Sequence, residues 1–322
     1  MTNTEVNLVV YFGSHRMTSS FVTASPAVVG VTHHTAEVNG TTLHYVSAGD
    51  TGSPILLVHG WPESWWAFRD VIPLLAATHR VFAVDLRGFG DSGIADGDHD
   101  LTTMAEDLHR LVAHLGVGPV HVTCQDISGG PVFAFAATHP GDVLSLTAVE
   151  TTLPGYGWEM LADVKNGGSW HVGFLAAPGI AELFLAGRER VIIDWAVSAM
   201  TTVPGGVTEA DLDEFARTYA RPDGWRGTAG LYRSSLAGGD RMRALAESRP
   251  LTVPVLAVDG VNAPFTELTM RQVAGDVTAV TVPDVGHFVA QEAPAAFATA
   301  VGAFTDRVDR RRATAESPHR HP

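Results

Sequence analysis

Val122-Thr-Cys-Gln-Asp126-Ile-Ser-Gly-Gly130 joins two runs of opposite character. Before it, Val120-His-Val-Thr-Cys124 suits a strand, and after it Pro131-Val-Phe-Ala-Phe-Ala-Ala137 suits a helix. A strand that turns sharply into a helix displays one side chain at the turn and needs small residues two positions to either side. Cys124 and Ser128 supply them, so the displayed group is the carboxylate of Asp126. A carboxylate is ionised at neutral pH (about 3.9 for a model Asp) and suits displacement at saturated carbon. A serine needs a base and usually attacks acyl carbonyls. A second reading centres on Ser128, because Ser128-Gly-Gly130 matches the later half of G-x-S-x-G. Asp126 would then stand where a glycine belongs and crowd the turn. An ordinary helix N-cap is the remaining explanation for Asp126.

Outward from this turn the chain alternates. Upstream, His34–Val38 and Thr41–Ala48 flank Asn39-Gly40, a hairpin signal. Pro54-Ile-Leu-Leu-Val-His59 is an apolar run of the kind buried on both faces of a sheet. Residues 63–77 are helical in pattern, and Arg80-Val-Phe-Ala-Val-Asp85 reads as the next strand. Leu101, Met104, Leu108, Leu111 and Leu115 mark one face of a helix. Downstream, Val143–Val149 is another strand. Such alternation predicts an α/β fold with a mostly parallel, doubly wound sheet. From 153 to 240 the pattern changes to helices alone, among them Ile180–Met200 and Glu209–Ala220, with Trp158, Trp170, Trp195 and Trp225. Strand and helix alternate again at Pro254-Val-Leu-Ala-Val-Asp259, at Val277–Val282 and at a final helix near Pro294–Val308. The expected division is therefore an extension (1–30), a core (31–152 and 241–309), a helical cap (153–240) and a disordered tail (310–322).

Composition narrows the partners. With 322 residues, 45% of them hydrophobic, the chain can bury one large core. A net charge of −14 disfavours nucleic acid and anionic membrane as partners. The mean hydropathy is only +0.11, and no run of eighteen apolar residues is present to span a bilayer. One cysteine, Cys124, rules out an internal disulfide and fits a cytoplasmic setting. The first 30 residues lack the marks of a secretory signal, and Met17 is an alternative start. The glycines after Asp126 lack the lysine or spacing of a nucleotide loop. No histidine spacing, including His33-His34 and His319/His321, makes a closed metal site, so neither cofactor nor metal is expected. Oligomeric state is not legible, a homodimer being one candidate.

Four motifs in chain order carry a resemblance: His59-Gly-Trp61-Pro62 with Glu63-Ser-Trp65, Asp85-Leu-Arg-Gly-Phe-Gly-Asp-Ser92, Gln125-Asp126-Ile-Ser-Gly129, and Val285-Gly-His287-Phe288. Together they resemble the α/β-hydrolase superfamily, more narrowly its epoxide hydrolase branch, over most of residues 32–308. The resemblance implies that the Trp61 and Ile127 backbone N–H groups form an oxyanion hole, with Pro62 a candidate for a cis bond. It implies that His287 is a base acting on water, since a carboxylate nucleophile needs no activation. It offers two positions for the acid that orients His287: Glu150, which is favoured, or Asp259, with Asn262 near the more usual place. It implies a lid pair that assists the leaving oxygen. Leu231-Tyr232-Arg233 resembles the lid-tyrosine site, and Ser169-Trp170-His171-Val-Gly-Phe174 resembles a subgroup with histidine in place of the first tyrosine. That subgroup also places its acid as Glu150 is placed. Tyr156 and Tyr219 are the other lid tyrosines. His59, Pro62, Trp170 and Phe174 are expected to contact substrate. The activity implied is hydrolysis of a small apolar epoxide by water. The alternatives are a haloalkane or haloacid dehalogenase with the same nucleophile, a serine esterase using Ser128, and a non-catalytic binding protein. Against the dehalogenases, Ile127 stands where a halide-binding Trp is usual, and Ile127 and Gly130 leave out the arginines that clamp a haloacid. Trp170-His171 with Tyr232 keeps a halide cradle open.

Overall fold

The continuous apolar runs become the middle of a sheet. In the computed structural model, which describes residues 27–261 and 264–315, β3 (Pro54–Val58), β5 (Val120–Gln125) and β7 (Val255–Asp259) are buried at every residue. Strands covered on both faces need no polar alternation. β1 (Thr32–Val38) and β2 (Thr41–Ala48) form the hairpin around Asn39-Gly40, β4 (Arg80–Val84) and β6 (Val143–Val149) lie inside, and β8 (Val277–Thr281) closes the far edge. The order is β1-β2-β4-β3-β5-β6-β7-β8. The β1–β2 and β2–β4 pairings are antiparallel and the rest parallel.

Helices cover both faces of this sheet. α1 (Ile72–Ala76) and α2 (Leu101–Leu115) precede β5, and α3 (Gly129–Thr138) follows it. α2 begins where the Asp100 side chain accepts from the Thr103 N–H at 2.7 Å and ends at Gly116 with φ 64°. α3 is apolar on all sides because it is buried on all sides through Ala137. Between β6 and β7 the chain is entirely helical among the described residues. A 3-10 turn (Trp158–Ala162) leads to α4 (Trp170–Ala176), α5 (Ile180–Leu185), α6 (Glu189–Met200), α7 (Glu209–Tyr219), α8 (Arg226–Ala237) and α9 (Gly239–Ser248). α10 (Phe265–Val273), α11 (Val289–Glu292) and α12 (Pro294–Ala315) complete the fold.

Three expectations change. The helix over 63–77 is a 3-10 turn (Trp65–Phe68) followed by α1, because Pro73 has no N–H to continue a longer helix. Ile180–Met200 is two helices, parted near Gly187, whose φ of 75° a helix cannot hold. The stretch expected to be disordered from 310 is helical as far as Ala315, since α12 buries Phe304 and Val308 and carries the following turns with it. Residues 1–26, 262–263 (Asn262 among them) and 316–322 lie outside the described residues. No described helix is long and apolar enough to cross a membrane.

Candidate active site

β5 ends at Gln125, and Asp126 takes φ 52°, a left-handed conformation that non-glycine residues seldom adopt. Its neighbours leave the room. A Cβ on Gly60 would lie 2.6 Å from Asp126 Cβ, and one on Gly129 would lie 2.2 Å from Thr151 Oγ1. The Thr151 hydroxyl donates to the Asp126 carbonyl at 2.5 Å, pinning the strained residue. Ser128 is turned underneath: its Oγ accepts from Gln125 N and donates to Gln125 O at 2.7 Å, and the side chain is fully buried. It does not line the cavity.

The Asp126 carboxylate enters a cavity of about 700 Å³ between sheet and helical insertion, lined also by Trp61, Glu150, His171, Tyr232 and His287. Oδ2 accepts from the Trp61 N–H at 2.9 Å, and the Ile127 N–H favours the same charged group. The Trp61–Pro62 bond is cis. Oδ1 faces His287 Nε2 at 3.8 Å, and His287 Nδ1 lies 3.3 Å from Glu150 Oε2. Glu150 Oε1 accepts from the Gly260 N–H at 2.5 Å. Asp259 instead caps α10, accepting from Thr266 N and Glu267 N at 2.9 and 3.1 Å. The geometry thus brings Asp126, His287 and Glu150 into one line and leaves Asp259 out of it.

Across the cavity, His171 stacks on the Trp61 indole (centroids 5.1 Å apart, 14° between planes), with Tyr232 edge-on to both. Ser169 Oγ is 2.7 Å from His171 Nδ1. The other expected contacts lie elsewhere. His59 is fully buried below, its Nδ1 donating to Gly60 O at 2.8 Å and its Nε2 accepting from Leu86 N at 3.2 Å. Pro62, Trp170 and Phe174 do not line the cavity; Trp170 is 44% exposed and packs on Trp195 and Phe174. Tyr219 stacks on Trp225, and Tyr156 reaches the cavity wall. Sequence reading missed Trp158, Met160, Leu161 and the α10 face of Phe265, Leu268, Thr269 and Gln272. The α10 residues stand at i, i+3, i+4 and i+7, a signal that marks one helix face without saying what it faces.

Burial sets the charges here. It works against charge on His287, but the bond to Glu150 and the nearby Asp126 carboxylate outweigh it and push the imidazole up to about 9. Burial raises Asp126, opposed by His287 and the two N–H groups. Burial, with His287 nearby, drives His171 down to about 4, so it is neutral at pH 7. Tyr232 is raised well above a free tyrosine by burial and by Asp126, so it keeps its proton. Beneath the site Glu63, fully buried, is pushed up to about 8 by burial although Gly60 N–H and His287 pull it down. Away from the cavity, two groups, His109/His139/Asp142 and His44/Asp85/Asp91, bring ligand atoms within 4.8 Å of one another.

A carboxylate displayed at the end of β5, facing a histidine under a helical insertion, defines an α/β hydrolase. The model of the alpha/beta hydrolase fold family matches residues 53–202. The soluble epoxide hydrolase of Corynebacterium sp. (strain C12) is 33% identical over 282 residues, which span 82% of this chain and 93% of that protein. Among solved structures, the epoxide hydrolase CorEH without ligand is 30% identical with a TM-score of 0.77, covering 86% of this chain and 99% of its own. Wild-type Cfl2 from Burkholderia cenocepacia is also 30% identical, with a TM-score of 0.78 over 87% of this chain and 98% of its own. The chain belongs to the α/β-hydrolase superfamily, in its epoxide hydrolase-like branch.

Proposed function

We propose that this protein opens an uncharged epoxide to a vicinal diol through a hydroxyalkyl ester on Asp126. The observation that carries the reading is the line Asp126–His287–Glu150 facing His171 and Tyr232 across one cavity. Oδ2 is occupied by the Trp61 N–H, so Oδ1 is the attacking oxygen. It bonds to a ring carbon while that carbon's bond to the ring oxygen breaks, leaving the electron pair on oxygen. The alkoxide takes a proton from Tyr232 or His171. If Ser169 donates to His171 Nδ1, the imidazole proton sits on Nε2, free to serve.

Esterification removes the negative charge on Asp126. That charge is one of the causes of the raised His287 pKa, so the imidazole becomes able to release its proton, which restores the Tyr232 or His171 group that gave one to the alkoxide. Neutral His287, steadied by Glu150, then takes a proton from water as the water oxygen attacks Asp126 Cγ. The charge that develops on Oδ2 meets the Trp61 and Ile127 N–H groups, which are fixed before it forms. Collapse breaks the ester C–O bond, and the departing diol oxygen takes the proton from His287. No step calls for a cofactor or metal.

Asp126→Asn is expected to abolish diol formation from styrene oxide. His287→Gln is expected to halt after the first step, so intact mass spectrometry should show the protein heavier by one substrate molecule. An unmodified His287→Gln protein after incubation with turned-over substrate would remove the covalent scheme. The dehalogenase alternative has less support, since no Arg or Lys is found among the described lining residues. Halide release from a haloacetate without diol from styrene oxide would put it first.

A further inference from the structure

The cavity wall does not stop where burial stops. Three apolar residues line it and yet face solvent: Met160 is 72% exposed, Leu161 42% and Leu268 61%. They come from two elements, the 3-10 turn Trp158–Ala162 and α10, and all three line the one cavity. α10 presents Phe265 and Leu268 one turn apart along this wall, the first half-buried and the second exposed. Side chains this exposed add little to the core, because an apolar group stabilises the fold by being covered. Exposed apolar groups at the wall of a cavity mark a ligand groove.

The charges along the same wall restrict that ligand. Among the described lining residues the only ionisable carboxyl and imidazole groups are Asp126, Glu150, His171 and His287; there is no Lys or Arg, and the one cation, His287, is already held between Asp126 and Glu150. A carboxylate held inside would meet two acids and lose its hydration without a partner. We propose that the mouth between Met160, Leu161 and Leu268 is a tail subsite. On this assignment the substrates are uncharged epoxides with a linear alkyl or alkyl-aryl chain, whose reactive end reaches Asp126 while the chain lies along the lip. The assignment of the reactive end rests on the function proposed above; the subsite itself does not.

Two measurements on the full-length protein separate the two claims. One is kcat/KM for 1,2-epoxyalkanes from four to twelve carbons. The other is the Kd of the matching 1,2-alkanediols, read by fluorescence of Trp61 and Trp158, which line the cavity. Each methylene moved from water to an apolar wall favours binding, so both series should improve about two- to fourfold per added carbon until the chain passes the lip. Leu268→Asp should shrink the ratio of dodecyl to butyl values in both series at least fivefold. Flat diol affinities with chain length, or an unaltered ratio in Leu268→Asp, would overturn the tail subsite even if every epoxide is turned over. Diol affinities that rise with length, with no epoxide consumed, would uphold the subsite and reject the epoxide chemistry.

Discussion

His287 has to satisfy two states. With Asp126 ionised it is held as a cation, up to about 9, by Glu150 and Asp126; with Asp126 esterified one of those charges is gone. The two half-reactions therefore depend differently on pH. Ester formation should slow only as acid protonates Asp126, whose carboxyl is raised above the ordinary Asp value by burial. Ester hydrolysis should slow earlier, as acid protonates the His287 freed by esterification. Quenched-flow measurement of the two steps from pH 5 to 9 checks this; a shared profile would contradict it. Glu150→Gln removes the charge beside Nδ1 while leaving an oxygen that accepts from it, and it should slow hydrolysis of the ester by about 10²–10⁴-fold while the ester accumulates. Glu63 supplies a further residue-scale outcome. Unfolded, it loses its proton near 4.5; folded, it keeps it to about 8. Between those values the folded protein holds a proton that the unfolded chain lacks, so stability falls as pH rises, by at most about 1.4 kcal/mol per pH unit. His287, raised from 6.5 to about 9, adds a loss in the same direction above 6.5. Thermal melts from pH 5 to 8.5 should fall less steeply for Glu63→Gln than for the parent; parallel curves would show that Glu63 is ionised in the fold.

At the scale of elements, the positions that sequence pattern located are those where pattern and burial coincide. β6 and α2 have the ends their sequences predict, because Val143–Val149 is mostly apolar, with only Ser145 and Thr147 between, and α2 has its own caps in Asp100 and Gly116. Which residue the turn displays was also legible, since few residue types can sit at a left-handed strand end between small neighbours. What pattern could not locate depends on contacts distant in sequence. His59 reads like a site residue, yet its two ring nitrogens hold the backbone at Gly60 and at Leu86, the latter 27 positions on from His59. Trp170 reads like a cavity aromatic, yet its helix turns it outward, while Phe265 and Leu268 arrive from the opposite end of the chain. α2 shows the same kind of distant tie. Arg87 from the loop after β4 donates through Nε and Nη2 to the two Asp107 oxygens at 2.6 and 2.5 Å, and Asn39 from the hairpin turn donates to Asp107 at 2.9 Å. Both ionic partners are buried. Asp107→Ala leaves the guanidinium unpaired and should cost about 3–5 kcal/mol in denaturant unfolding. Adding Arg87→Met should recover most of that loss; no recovery would mean that Asp107 acts through α2 alone.

For the molecule as a whole, function depends on how the helical insertion is held over the sheet. Gly88 and Gly227 allow one close approach, since a Cβ on Gly227 would lie within 2.7 Å of the Gly88 backbone. His287 is joined to the insertion directly, its N–H donating to Met200 O at 2.9 Å. Asp211 of α7 is the polar counterpart. Almost fully buried, it accepts from Trp66 Nε1 at 2.8 Å and from Arg69 Nη2 at 2.9 Å, both on the core side, while closing the N-terminus of its own helix with Thr208. One carboxylate thus starts α7 and docks it. Asp211→Ala removes the N3 half of the capping box, worth up to about 1 kcal/mol, and leaves the buried Trp66 Nε1 without an acceptor, worth about 1–3 kcal/mol more, while Arg69 Nη2 keeps Asp70 at 3.1 Å. If α7 docks through this contact, amide exchange in α6 and α7 should accelerate in the variant while β5 and β6 keep their protection. KM should then rise by more than kcat falls, because Asp126, His287 and Glu150 all belong to the sheet side and keep their spacing. Acceleration of exchange throughout the sheet would show instead that the insertion and the sheet unfold as one unit.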